Sequence, residues 1–166
     1  AQTMVGVLLK FTGFVKNILK ELLKGIDLSS KWIDIQYWES YENSPDKKDL
    51  HDYESLSEEE ILDGITKDYE ICPEFAEVFL RDRGKAKSEI TDYDSFLKSG
   101  YDTSLIFIDY RNIEICCKSS EYLEQMIQNF NKLDAGEKKV IPLKTIRKDA
   151  MLKAWRSFDQ INIYDT

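Results

Sequence analysis

Residues 103–118, TSLIFIDYRNIEICCK, carry two β-rich apolar runs, 105–108 and 113–117, on either side of a polar tip, Asp109-Tyr110-Arg111-Asn112. Two such runs joined by a short polar tip predict a β-hairpin, here the centre of a sheet. Asn112 is the tip residue expected in the left-handed conformation, because its short side chain can bond its own backbone. Residues 5–11, VGVLLKF, predict a short, largely buried strand that Gly13 ends. From Phe14 the period changes. Phe14, Val15, Ile18, Leu19, Leu22, Leu23 and Ile26 recur at spacings of one, three and four, the stripe of an amphipathic helix. Gly25 stands where a left-handed C-terminal cap is expected.

Period two returns in residues 31–41, KWIDIQYWESY. Ile33, Ile35 and Tyr37 fall on one face; Trp32, Asp34, Gln36 and Trp38 fall on the other. This predicts a strand with one buried and one partly wet face. Trp32 and Trp38 suit either a binding surface or the cover of a sheet. Ser57 and Glu60 predict a capping box for a helix over 56–66, with Leu56 stapled onto Ile61. Residues 69–84 fit a helix opened by Pro73 or a strand; Val78, Phe79 and the short length favour the strand. Thr91 is expected to cap a short helix that Gly100 closes. Ser119 or Ser120 caps another, with Tyr122, Leu123, Met126, Ile127, Phe130 and Leu133 inward. Residues 139–143 predict a strand that Pro142 confines to an edge. Residues 146–156 fit strand or helix, and the tail INIYD adds an edge strand or frays. The expectation is a single α+β domain over 1–166: a mostly antiparallel sheet with a central hairpin at about 103–118 and about four packed helices.

Charge changes the picture in one place. The chain carries a net charge of −8, and residues 39–70 hold twelve acids against three lysines. The remainder is therefore close to neutral. Binding to nucleic-acid phosphate backbones or to an anionic membrane is not expected of such a chain; a basic protein partner is. Residues at about 42–56 have no hydrophobic period and contain Pro45, so they predict an acidic loop or insertion. His51, the one histidine, lies there among Asp46, Asp49, Asp52 and Glu54. A histidine among carboxylates is a weak metal candidate, since nothing in the sequence fixes those ligands on ordered elements.

Cys72, Cys116 and Cys117 are odd in number, and neighbours on a strand point to opposite faces. Three reduced thiols in a cytoplasmic protein are expected. No apolar run approaches the roughly 20 residues that cross a bilayer, and the first residues lack a signal-peptide pattern. Neither GxGxxG, GxxxxGK[ST] nor GxSxG occurs. No cofactor is expected.

The opening VGVLLKF, the lysine-containing helix and GIDLSSKWIDIQYWESYE resemble a small bacterial family, domain of unknown function 2691. So does TDYDSFLKSGYDTSLIFIDYRNIEICCKSSEYLEQM. Together these cover roughly half the chain. The resemblance implies a bacterial, cytosolic protein with no assigned activity or catalytic residue. The functional expectation is thus a non-catalytic acidic protein-binding module, of the immunity or inhibitor kind, acting on a basic partner. Trp38, Tyr41, Asp46, Asp49, Asp52 and Glu54 are its expected binding face. The alternatives are an enzyme with a dispersed site and a self-associating protein, for which a homodimer is the simplest form.

Overall fold

A computed structural model of the protein describes residues 4–39, 54–63, 69 and 72–143. The chain runs β1 (Val5–Phe11), α1 (Ile18–Leu22), β2 (Lys31–Glu39), β3 (Glu54–Leu56) and α2 (Glu58–Leu62). It continues through β4 (Phe75–Asp82), α3 (Tyr93–Lys98), β5 (Tyr101–Ile108), β6 (Asn112–Cys117), α4 (Ser120–Asn131) and β7 (Lys138–Pro142). The strands form one sheet in the order β3-β2-β4-β5-β6-β1-β7. Every pairing is antiparallel. The α+β class holds, and β5 of the predicted hairpin is the middle strand.

Both faces of the sheet are covered, which explains the near-continuous apolar runs of β4 and β5. One face carries Val7, Leu9, Ile33, Ile35, Val78, Leu80, Leu105, Phe107, Ile113 and Ile115 against residues of α1, α2 and α4. The other carries Phe75, Phe79, Ile106, Ile108 and Cys116 against Ile90, Tyr93 and Phe96 on or just before α3. Within 69–84 the favoured strand is present as β4, Phe75–Asp82. Pro142 ends the edge strand β7, where its missing N–H disturbs no inner ladder.

Several expectations are corrected by backbone detail. The helix read from Phe14 is cut to five residues, because Asn17 takes the left-handed conformation (φ 59°) just before it. Phe14 is 55% exposed, whereas Val15, Ile18, Leu19, Leu22, Leu23 and Ile26 are buried as the stripe predicts. Gly25 does lie in the left-handed region, at φ 80°. The hairpin tip is turned by Asp109 and Tyr110, at φ 54° and 62°, and not by Asn112, which already opens β6. At α3 the cap is Asp92, one residue beyond Thr91, in a reciprocal box with Ser95. At α2, Ser57 accepts from Glu60 N–H as predicted, but its hydroxyl donates to the Glu60 carboxylate.

The partly wet face expected for β2 is dry beyond the half-buried Trp32. Asp34 and Gln36 are buried. Asp34 accepts from Arg81 Nε (2.7 Å), Ser55 Oγ (2.6 Å) and Tyr101 Oη (2.5 Å). Gln36 donates to the Ser88 carbonyl (2.6 Å) and accepts from Ile90 N–H (3.1 Å). A complete set of partners lets these polar groups lie inside the protein. Burial and the hydrogen bond to Asp34 together push the Tyr101 phenol well above its ordinary pKa.

Candidate functional site

The edge strand β3 leads into a helical turn that carries acidic side chains. β3 pairs with β2, placing Leu56 against Ile33 and Ser55 against Asp34. The chain then turns at Ser57 directly into α2, and both Leu56 and Ile61 sink into the core beneath it. That anchoring leaves Glu59, Glu60 and Asp63 exposed and Glu58 half-buried. Acidic side chains in a first helical turn are favoured by the helix dipole, so the cluster is stable as it stands.

A cavity of about 490 Å³ opens beside this turn, lined by Ser29, Ser57, Glu58, Glu59 and Arg83. Arg83 follows β4, and its position is fixed from two sides. Its Nε donates to the Lys31 carbonyl at 3.1 Å, and its guanidinium lies 4.5 Å from the centre of the Trp32 ring. Trp32 is half-buried. The edge therefore combines carboxylates, an ordered guanidinium and a partly exposed indole. Arginine and tryptophan are the residue types that most often anchor protein interfaces.

The expected binding residues are distributed unevenly. Trp38 is not at the surface. It is 0% exposed, its ring edge-on to Tyr69 at 5.0 Å between centres and tilted against Phe107 at 6.2 Å. The cause is a bulge in β2: Ile35 pairs with Val78 but Tyr37 with Glu77, so Gln36 is an extra residue. One inserted residue reverses the alternation beyond it. Trp38 rotates onto the face of Ile33 and Ile35, while Tyr37 joins the opposite face. Tyr41, Asp46, Asp49, Asp52 and the metal candidate His51 lie outside the described residues. For Glu54 the description covers its place in β3 alone. Arg83 and Glu58–Glu59 as a joint lining were not legible, since their meeting depends on the β2–β4 register that sets Trp32 opposite Arg81.

The thiols of Cys116 and Cys117 are poorly placed for nucleophilic chemistry. All three cysteines are free and buried. Cys116 and Cys117 face opposite sides of the sheet, as neighbours on a strand must. Burial pushes the Cys117 thiol up to about 12, and burial with the adjoining Glu114 carboxylate raises Cys116 well above its usual value. Such groups stay protonated at neutral pH, and the thiolate is the reactive form. Glu114 is itself buried and accepts from the Tyr93 hydroxyl. Among the described residues no three His, Cys, Asp or Glu side chains are placed to hold a metal ion. No helix among them is long and apolar enough to cross a membrane.

A family model described as "Protein of unknown function (DUF2691)" matches residues 4–151. The chain belongs to that family. The match spans the eleven elements found among the described residues, and the stretch of sequence between β2 and β3. No curated protein and no solved structure matches the chain.

Proposed function

We propose that this DUF2691 protein is a non-catalytic protein-binding module of the bacterial cytoplasm. Its acidic edge engages a basic partner, in the manner of an immunity-type or inhibitor protein. The observation that carries the reading is the arrangement at the β3 edge. Glu58 and Glu59 line a cavity with Arg83, which is stacked on the half-buried Trp32. Glu58 and Glu59 are two of the twelve acids that stand against three lysines in residues 39–70.

The physical roles divide between the two kinds of residue. Clustered carboxylates raise the encounter rate with a cationic surface through a field that salt screens. The Trp32–Arg83 stack offers a rigid contact area, whose loss is felt in the dissociation rate. Three free, buried cysteines fit a reducing compartment.

The test starts from partners captured on the immobilised protein. Each is purified, and its binding is compared between wild type and a Glu58→Gln/Glu59→Gln variant. A specific partner should be basic and should bind the variant with an association rate lowered about fivefold or more at low salt. Capture of acidic proteins alone, or unchanged association by the variant, would overturn the reading.

A further inference from the structure

The opposite edge of the sheet carries the opposite charge. β7 is the last strand there, paired with β1 so that Lys139 stands directly across from Lys10. On its other side Lys10 faces Asn112 of β6. Directly opposed residues on neighbouring antiparallel strands share a face, and like charges so placed repel. Arg111 of the hairpin tip joins them at the end of the sheet. Together with Phe11, Thr12, Glu137 and Lys138, these residues line a cavity of about 470 Å³.

The walls of this cavity are tightly built. The carbonyl of Arg111 accepts from Phe11 N–H at 3.1 Å, which ties the hairpin tip to β1. Thr12 N–H donates to the Glu137 carbonyl (3.1 Å), and Glu137 N–H donates to Thr12 Oγ1 (2.9 Å). Gly13 N–H donates to the Ala135 carbonyl at 2.8 Å. The approach requires glycine on both sides. A Cβ on Gly13 would lie 2.6 Å from the Ala135 carbonyl carbon, and one on Gly136 would lie 2.5 Å from Thr12 Oγ1. Gly136 also has φ +68°.

The cations differ in how they are used. Lys138 is committed: its ammonium donates to the Asn131 and Leu133 carbonyls at the end of α4, both at 2.6 Å. Lys10, Arg111 and Lys139 are exposed and form no ion pair among the described residues. Glu137, the one carboxylate in the lining, is exposed and likewise forms none there. Among the described residues, three cations without an ion pair thus line one open cavity with Asn112 and a single carboxylate, Glu137, in a chain whose net charge is −8.

We infer that this cavity is a binding site for a small polyanion, of the class of organic phosphates and polyphosphates. Its volume lies within the range of small-molecule sites, roughly 300–1,000 Å³. A guanidinium beside two ammonium groups suits phosphate oxygens: the guanidinium supplies a planar fork and the ammonium groups act as point charges. A polyanion bridging Lys10 and Lys139 would also relieve their repulsion across the ladder. The site is distinct from the acidic edge and does not rest on the protein-binding reading.

The test uses the full chain and inorganic tripolyphosphate as probe, by titration calorimetry at low salt. Citrate serves as a non-phosphate polyanion. Saturable binding of tripolyphosphate is expected, weakened about tenfold or more in Lys139→Gln and separately in Arg111→Gln, and unchanged in Lys16→Gln. Citrate should bind more weakly. Both site variants should melt no lower than wild type in the absence of anion, because each removes a cation from a repelling set. Absence of saturable binding overturns the inference, as does equal weakening by Lys16→Gln or citrate binding as tight as tripolyphosphate. A salt-sensitive self-association that Lys139→Gln abolishes, without phosphate binding, would assign the groove to a second copy's acidic edge and overturn it as well.

Discussion

Arg81 Nε donates to Asp34 Oδ2 at 2.7 Å, and the two side chains are 9% and 1% exposed. The pair joins β2 to β4 inside the protein, and the Tyr101 and Ser55 hydroxyls fill further acceptor positions on Asp34. Arg81 also donates to the Lys85 carbonyl at 2.7 Å. Removing one partner leaves the other as an uncompensated buried charge. Asp34→Ala should therefore cost about 3–5 kcal/mol of stability. Replacing both, as Asp34→Leu with Arg81→Met, should cost less than Asp34→Ala, because the desolvation of both charges is then removed. Urea denaturation of the two variants checks the ordering, and a double change worse than the single one would contradict it.

The two faces of the central hairpin allow a paired test. Ile108 is buried in the cluster that includes Tyr93 and Phe96, and Ile113 in the cluster that includes Phe130. A carboxylate at either place is buried without a partner. Ile108→Asp and Ile113→Asp should each lose about 4 kcal/mol or more. Phe14→Ser, at a position 55% exposed, should stay within about 0.5 kcal/mol of wild type. Thermal melts of the three variants make the comparison, and near-normal melting of both aspartate variants would remove the hairpin from the core.

The α+β class, the central hairpin and the placement of most elements were legible because they follow from period, whereas the order of the strands in the sheet was not. The hairpin, the edge strand with Pro142 and the helix from Ser120 all rest on repeats of several residues that agree with one another. What was not legible turned on single residues. Nothing in KWIDIQYWE marks Gln36 as a bulge, and that one insertion moved Trp38 from the expected surface into the core. Asn17 carries no signal against continuing the stripe from Phe14, yet its left-handed conformation sets the start of α1. The candidate site behaves alike. The acids of 58–60 were visible as a capped first turn, while their meeting with Arg83 required the register of β2 on β4.

Cys116 and Cys117 give the fold a pH dependence with a definite sign. Both folded-state values are raised, chiefly by burial, that of Cys117 to about 12. An unfolded cysteine titrates near 8.5. Between the two values the unfolded chain has released protons that the folded chain still holds. The stabilising contribution is thus complete below about pH 8.5 and is lost as pH rises through the folded values. Melting temperature should fall from about pH 9 upward, more steeply in wild type than in Cys117→Ala, once the lower starting stability of that variant is allowed for. Ellman-type titration should find three thiols in denaturant and slow reaction in native buffer. Rapid native reaction of Cys116 or Cys117 would contradict their burial.

The acidic edge makes separable kinetic predictions for a captured basic partner. Asp46, Asp49, Asp52 and Glu54 belong to the acidic sequence around β3, and neutralising all four to the amides removes four of the twelve acids in 39–70. The association rate should fall and its salt dependence flatten, since these charges act through a field screened over about 10 Å at 0.1 M salt. Trp32→Ala acts differently. It removes the ring beneath the Arg83 guanidinium, 4.5 Å away, and so frees a side chain that is otherwise held in place. The loss should be read in a dissociation rate raised about tenfold, with association nearly unchanged. Trp38→Ala serves as the contrast: its ring is fully buried against Tyr69, so it should lower stability by about 3–5 kcal/mol. At temperatures where it remains folded, its dissociation rate should stay near that of wild type. Surface plasmon resonance at several salt concentrations measures all three. If the four-site variant associates as fast as wild type at low salt, the acidic residues only solvate this edge, and the protein-binding reading fails.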